Sequence, residues 1–166
     1  SGIKAVAMPE LLRILVIALC WVAIHIGSGY AAHTMPLRWF ETDSWLFRER
    51  RWERGGGIYR KLFAVHRWKD LMPEAGAMFG GGFEKRTLSG HAPDYLRRFE
   101  AETRRAELSH WLPLPVSATF FLWNPVEIAV WMPVYAILTN IPFIVIQRFL
   151  RPRLARVRKS ILKREH

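Results

Sequence analysis

The residues best suited to chemistry lie in one charged segment, residues 102–111, which leads directly into an apolar stretch. On a helix, Glu107 and His110 are about one turn apart and within interaction range. Histidine is the side chain best suited to proton transfer near neutral pH, and a neighbouring carboxylate can orient its imidazole. The spacing therefore predicts His110 as a general base and Glu107 as the group that positions it, with Glu102 as an alternative carboxylate.

A structural interpretation of the same residues stays open at this point. His110 can be an interface histidine hydrogen-bonded to a headgroup or a carbonyl, and Glu107 can form an ordinary ion pair with Arg104 or Arg105. The position of the segment favours a functional role, because ionisable groups close to hydrocarbon are costly and are usually retained for a purpose.

The distribution of charge along the chain indicates a membrane protein. The chain has 166 residues, one cysteine and a net charge of +11, and 51% of its residues are hydrophobic. Residues 14–32 and 128–146 contain no Lys, Arg, Asp or Glu. Each stretch forms roughly 29 Å of helix, close to the hydrocarbon thickness of a bilayer. Because the basic residues lie between and after these stretches, positive cytoplasmic loops explain the charge better than nucleic-acid binding does.

We therefore predict an all-α integral membrane protein with a single domain over residues 1–166. Its segments are a transmembrane helix at 11–32, a cytoplasmic region of amphipathic and interfacial helices at 37–107, a C-terminal helical hairpin and a basic cytoplasmic tail at 148–166. The hairpin consists of a short or re-entrant arm at 108–123 and a full span at 126–147. Because nearly all Lys and Arg lie at 38–105 and after 147, both regions should face the cytoplasm, which predicts a multi-pass protein of the cell membrane.

The helix that carries His110 is predicted to begin at Pro93. Proline is tolerated in a first helical turn, and Asp94 is favourable near a helix N-terminus. Residues at spacings of three and four form one face of this helix: Leu96, Phe99, Thr103, Ala106 and His110. His110 should therefore point in the same direction as the apolar residues, toward protein or lipid.

Several motifs resemble one known family. They are Trp68-Lys69, the block Glu102-Thr-x-Arg-Ala-Glu-Leu-x-His-Trp111, and Asn140-x-Pro142 followed by Gln147-Arg-x-x-Arg-Pro-Arg153. Over about residues 53–158 the chain is similar to the glycosyl-4,4'-diaponeurosporenoate acyltransferases, the last enzymes of staphyloxanthin-type carotenoid synthesis. The resemblance implies a membrane-bound O-acyltransferase that moves a fatty acyl group, with acyl-CoA as the expected donor, to a sugar hydroxyl of a glycosylated carotenoid or similar glycolipid.

Further polar and aromatic residues are candidates for contacts with these substrates. Arginine binds phosphates in bidentate fashion, so the basic residues can hold acyl-CoA, although contact with anionic membrane lipids explains them equally well. Asn140 lies in an apolar span, where a hydrogen bond across helices is the other interpretation. The predicted substrate-binding residues are Trp68, Lys69, Arg86, Glu102, Arg105, Trp111, Asn140, Gln147 and Arg148. No metal or other cofactor is expected, because the sequence contains no His-Glu-x-x-His motif and its one cysteine lies in an apolar stretch.

A non-enzymatic alternative is consistent with the same sequence. A membrane-anchored interaction or assembly protein would also carry a basic face, which would bind anionic lipid without any substrate. The two hypotheses differ at His110. An enzyme needs an oriented imidazole beside a substrate, whereas an assembly protein needs an apolar surface for its partner.

Overall fold

The computed structural model describes residues 9–68 and 93–163, and every regular element in these two ranges is helical. The α-helices are α1 (Glu10–Thr34), α2 (Gly57–Phe63), α3 (Val65–Trp68), α4 (Pro93–Trp111), α5 (Pro113–Val116), α6 (Val126–Ala129) and α7 (Trp131–Leu162). Short 3₁₀ helices span Leu37–Phe40, Arg51–Glu53 and Ser117–Leu122. The prediction of an all-helical chain is confirmed for these residues.

Two helical segments are long and apolar enough to cross a membrane. They are Glu10–Thr34, with a mean hydropathy of 2.1, and Val126–Leu162, with a mean hydropathy of 1.8 over its most apolar part. Both coincide with the spans expected at 11–32 and 126–147. Many large apolar side chains of α1 are exposed, including Leu11, Ile14 and Leu19. Such exposure is typical of a helix that packs against lipid rather than inside a soluble core.

The last helix is longer than predicted. We expected a span that ends at 147 and a separate tail at 148–166, but α7 continues without interruption to Leu162, through Pro142 and Pro152. Proline removes one backbone donor from a helix. One turn before Pro142, the side chains of Thr139 and Asn140 donate to main-chain carbonyls of the preceding turn. The residues predicted as the basic tail therefore begin as part of α7, which packs against α4 there through Leu154.

The region expected to hold interfacial helices is folded against α4 instead. Between residues 37 and 53 the chain forms only two short 3₁₀ helices joined by turns. Phe40 and Phe47 are buried and pack with Ala101 of α4. Arg104 of α4 fastens this segment by donating to the carbonyl of Phe40 at 2.9 Å and to the carboxylate of Asp43 at 2.6 Å. The boundary predicted between residues 107 and 108 falls inside α4, which continues to Trp111.

Two prolines break the short arm after α4 into short helical segments. Pro113 and Pro115 cannot donate to the carbonyls one turn earlier, so the chain breaks into α5 and a 3₁₀ helix at Ser117–Leu122. Phe120 packs with Trp21 of α1 and with Ala136 of α7. His110 meets Asn140, whereas Phe120, farther along the chain, packs on the earlier residue Ala136, so the arm runs antiparallel to α7.

A tight turn brings α2 against the middle of α7. Arg54, Gly55 and Gly56 all adopt left-handed backbone conformations. At Gly56 (φ +82°) an added Cβ would lie 3.1 Å from the carbonyl oxygen of Phe149, so glycine permits this close approach. Beyond the turn, Tyr59 is buried in a cluster with Phe149 and neighbouring apolar residues of α7.

Candidate functional site

The predicted base, His110, meets α7 at Asn140. The Nδ1 atom of His110 lies 3.1 Å from the Oδ1 atom of Asn140, and the imidazole stacks on Phe143 with ring centroids 4.5 Å apart and an interplanar angle of 10°. Asn140 is only 1% exposed, whereas His110 is half-buried. The ring at the end of α4 is therefore held by two residues of α7: Asn140 contacts its edge, and Phe143 covers one face.

The hydrogen bonds of Asn140 define which imidazole nitrogen can act as a base. The Nδ2 group of Asn140 donates to the carbonyl of Ala136 at 2.9 Å and to the hydroxyl oxygen of Thr139 at 3.1 Å. Its Oδ1 atom is thereby directed at His110. Since this oxygen only accepts, it favours the tautomer with hydrogen on Nδ1 and the lone pair on Nε2. Nε2 is then the nitrogen able to accept a proton.

We predicted that Glu107 orients His110, but its carboxylate binds other side chains. Its Oε1 atom accepts hydrogen bonds from Arg148 Nε at 2.7 Å and from Trp111 Nε1 at 3.0 Å, and its Oε2 atom accepts one from Arg151. Glu107 is fully buried, and a buried carboxylate is stable only with charged donors. The orienting contact expected from Glu107 is therefore made by Asn140. The alternative carboxylate, Glu102, pairs with Arg105 at 3.4 Å.

Arg148 connects this carboxylate to a second one. Its Nη1 atom lies 2.5 Å from Glu53 Oε1, and its Nη2 atom donates to the carbonyl of Leu46 at 2.5 Å. Tyr59 also donates to Glu53 Oε1, at 2.8 Å. Burial, reinforced by the hydrogen bond to Glu53, raises the pKa of Tyr59, which keeps this hydroxyl protonated as a donor. Arg148 thus joins α7, α4 and the Arg51–Glu53 turn in one polar cluster.

Sequence reasoning missed three members of this cluster: Glu53, Tyr59 and Arg151. Arg151 donates to the carbonyl of Phe47 at 2.8 Å as well as to Glu107. A signal for Arg151 was present, because Arg148 and Arg151 are three residues apart on a helix and so share a face. The buried Arg151 and the partly buried Arg148 balance the charges of the two buried carboxylates, Glu53 and Glu107.

The remaining predicted substrate residues lie in different places. Trp111, Asn140 and Arg148 belong to the α4–α7 interface described above, and Gln147 is buried on α7. Trp68 donates to the carbonyl of Phe63 and packs beside α2, which is a structural role. Arg105 turns away from His110: its guanidinium lies 6.0 Å from the ring centroid of Phe40. Lys69 and Arg86 lie outside the described residues.

A charged cleft of about 360 Å³ adjoins the cluster on the side away from His110. Its walls carry both signs of charge, including Arg148, Arg151, Glu53 and Glu100, and His110 does not line it. Phe120 does not line this cleft; its ring is stacked on Trp21, with ring centroids 5.2 Å apart. Within residues 9–68 and 93–163, no group of three or more His, Cys, Asp or Glu side chains is placed to hold a metal ion.

Comparison with known proteins identifies the family. A family model described as glycosyl-4,4'-diaponeurosporenoate acyltransferase matches residues 43–160, which include the whole of α4 and all but the last two residues of α7. The chain belongs to this family. A protein of that name from Staphylococcus haemolyticus is 30% identical over 145 residues, which cover 87% of this chain and 84% of the relative. Another, from Staphylococcus aureus strain Newman, is 29% identical over 146 residues, or 87% of each chain. No solved structure matches the chain significantly.

Family membership confirms two predictions. The resemblance stated on the His-Trp block and the Gln-Arg-x-x-Arg-Pro-Arg motif was correct, and the chain is an acyltransferase. The non-enzymatic alternative of a membrane-anchored assembly protein loses its support, because an acyltransferase requires a site where a hydroxyl can be deprotonated beside an acyl donor.

Proposed function

We propose that this acyltransferase moves a fatty acyl group from acyl-CoA to a sugar hydroxyl of a glycosylated carotenoid or a closely similar glycolipid. The observation that carries the proposal is the contact between His110 Nδ1 and Asn140 Oδ1, which orients an imidazole at the end of a polar helix. The names of the relatives specify glycosylated diaponeurosporenoate as their acceptor. A carotenoid glycoside has a long apolar part and a polar end, which suits a site between two apolar helices and a charged region.

In the proposed mechanism, His110 acts as a general base and then as a general acid. Nε2 removes the proton of the sugar hydroxyl while the hydroxyl oxygen attacks the thioester carbonyl, which gives a tetrahedral intermediate. Collapse of the intermediate breaks the C–S bond, and the imidazolium returns the proton to the departing thiolate. The products are the ester and coenzyme A. Asn140 holds the ring in the productive tautomer throughout, so no acyl-enzyme is required.

The proposed setting is the cytoplasmic face of the cell membrane. In this multi-pass arrangement α1 and the apolar part of α7 span the bilayer, while α4 and the end of α7 lie on the side with the basic residues. The support for it is the apolar character of the two candidate spans, together with the polar cluster of Glu107, Arg148 and Arg151 near the end of the apolar part of α7. His110 then lies at a boundary that water-soluble and lipid-soluble reactants both reach.

Within this proposal the predicted residues have different roles. His110 is the catalytic residue, and Asn140 positions it. Glu107 and Arg148 are positioning residues, because their contacts fix α4 against α7 and so fix the distance between His110 and Asn140. Trp111 and Gln147 are proposed substrate contacts on either side of this interface.

The first test is a His110→Gln variant in detergent-purified protein. Its matched control is His66→Gln, because His66 is exposed on α3, away from the α4–α7 interface. Ester formation is measured by mass spectrometry with long-chain acyl-CoA and a glycosylated carotenoid. Loss of a general base is expected to lower kcat by about 10²–10⁴-fold, with thermal unfolding unchanged. Full activity of His110→Gln would remove the proposed mechanism.

The second test changes the group that orients the imidazole. Asn140→Asp keeps an acceptor at Nδ1 but adds a negative charge that stabilises the imidazolium. The acidic limb of the kcat/KM profile should therefore move to higher pH while activity at alkaline pH is retained. Asn140→Leu removes the acceptor and should lower kcat at every pH. Identical pH profiles for Asn140→Asp and the unmodified enzyme would show that Asn140 does not act on His110.

A further inference from the structure

The arginines near the end of α7 divide into two groups according to the face they occupy. Arg148, Arg151 and Arg158 face α4 and the loop beside it, and each pairs with a buried carboxylate. Arg153 and Arg156 lie on the opposite side, toward α2 and the turn before it. Among the described residues, neither of them forms an ion pair with a carboxylate.

A third arginine joins this second group from α2. Arg60 is exposed one turn into α2, and both Arg60 and Arg156 repel the guanidinium of Arg153. No carboxylate within the described ranges pairs with Arg60 either. We call Arg60, Arg153 and Arg156 the α2–α7 arginine cluster.

The protein holds two of these guanidinium groups, those of Arg153 and Arg156, in place despite their repulsion. The guanidinium of Arg153 lies 4.0 Å from the ring centroid of Phe149, a cation–π contact. Arg156 donates to the carbonyl of Gly55 at 3.4 Å. The turn at Gly56 brings α2 onto the backbone of Phe149 and thereby fixes the spacing between the two helices.

Among the described residues, Glu49 comes close to the cluster but forms no ion pair with it. The Oε1 atom of Glu49 accepts a hydrogen bond from the backbone N–H of Gly55 at 2.6 Å, so Glu49 is bound to the turn rather than to Arg156. Three like charges in one place raise the energy of the folded chain unless an anion compensates them. Arg153 and Arg156 are held in place, and no carboxylate in residues 9–68 and 93–163 pairs with the cluster, which therefore suits a bound anion.

We propose that the α2–α7 arginine cluster is a binding site for a phosphate group, supplied either by coenzyme A or by an anionic lipid headgroup. Guanidinium groups bind phosphate oxygens in bidentate geometry, and three of them match its charge and its several acceptors. Arg153 lies about 8 Å along α7 beyond Arg148, at 1.5 Å per residue. This site is separate from the His110–Asn140 contact. Its assignment to coenzyme A rests on the proposed acyl donor, whereas its assignment to a lipid headgroup does not.

Direct binding measurements test the proposal. The double variant Arg153→Gln/Arg156→Gln is compared with Arg38→Gln/Arg48→Gln, which removes the same charge from exposed arginines elsewhere. One arm titrates coenzyme A against protein in an uncharged detergent. The other arm measures thermal unfolding in nanodiscs of phosphatidylcholine, with and without phosphatidylglycerol. Arg60→Gln is measured beside them, because Arg60 is exposed and its loss should not affect folding.

Each outcome decides the proposal. Coenzyme A affinity that falls about tenfold or more in the cluster variants, but not in the control, supports the site and assigns it to the donor. Stabilisation by phosphatidylglycerol that disappears only in the cluster variants supports the site and assigns it to a lipid. Variants that behave like the control in both arms overturn the proposal.

Discussion

Neutralising Glu107 is the most informative perturbation of this structure. In a Glu107→Gln variant, Arg148 keeps the carboxylate of Glu53 at 2.5 Å, but Arg151 loses the only carboxylate with which it forms an ion pair in the described ranges. Arg151 is 7% exposed, so its charge is left buried and uncompensated. Removing one partner of a buried ion pair typically costs about 3–5 kcal/mol. Because Arg151 retains hydrogen bonds to Phe47 and Thr103, we expect a loss near 3 kcal/mol.

The assay is thermal unfolding of purified protein in detergent, with Glu102→Gln as the control. Glu102 has a single ion pair, with Arg105 at 3.4 Å, and both side chains keep some exposure, so its loss should cost about 0–1 kcal/mol. For a chain of this size, 1 kcal/mol shifts the melting temperature by about 2–4 °C. The Glu107→Gln variant should therefore melt about 6–12 °C lower than the unmodified protein, and the control within a few degrees of it.

A rescue variant separates an unpaired charge from a general packing defect. Glu107→Leu combined with Arg151→Met removes both charges and replaces them with apolar groups of similar volume, a change that is often neutral for stability. It should recover part of the stability that Glu107→Gln loses. Equal melting temperatures for Glu107→Gln and Glu102→Gln would refute the reasoning, because they would show that the carboxylate of Glu107 is not the counter-charge of the cluster.

Three further predictions concern the turn that carries α2. Gly56→Ala should destabilise the protein by about 1–3 kcal/mol in denaturant titration, because φ is +82° and the new Cβ would meet the carbonyl oxygen of Phe149 at 3.1 Å. Gly57→Ala should be neutral or stabilising in the same titration, since Gly57 is helical and the nearest atom to an added Cβ is 3.9 Å away. Tyr59→Phe should cost about 1–2 kcal/mol, because the carboxylate of Glu53 loses a buried donor, and a change below the error of the titration would contradict the hydrogen bond.

The helical segments could be predicted from the sequence wherever one physical signal dominated. Long uncharged stretches located α1 and the apolar part of α7, and the Pro93-Asp94 pair marked the start of α4. The segment at 37–53 could not be predicted in the same way. Its aromatic and basic residues are typical of an interfacial helix, but Phe40 and Phe47 turn inward because α4 offers them a packing surface, and this is a tertiary effect.

Several of the predicted polar residues meet in the structure, but they do not pair as the sequence suggested. His110, Glu107, Asn140 and Arg148 meet at one helix interface, as the motifs indicated. Proximity along a single helix suggested a bond between Glu107 and His110, whereas the structure gives each of them a partner on α7. Spacing within one helix identifies a shared face, but it carries no information on the neighbouring helix, whose register decides which side chains form hydrogen bonds.

Because α7 is continuous, it connects the His110–Asn140 contact to the charged cluster around Glu107. Asn140 and Arg151 are about 16 Å apart on α7, at 1.5 Å per residue. Asn140 contacts the proposed base, and Arg151 binds Glu107. Glu107 and His110 lie within one turn of α4. α4 and α7 are thus joined at two points: by the neutral hydrogen bond between His110 and Asn140, and by the ion pairs of Glu107 with Arg148 and Arg151. A rotation of α4 that broke the ion pairs would also withdraw His110 from Asn140, so in the proposed mechanism the charged cluster helps to position the imidazole through α4.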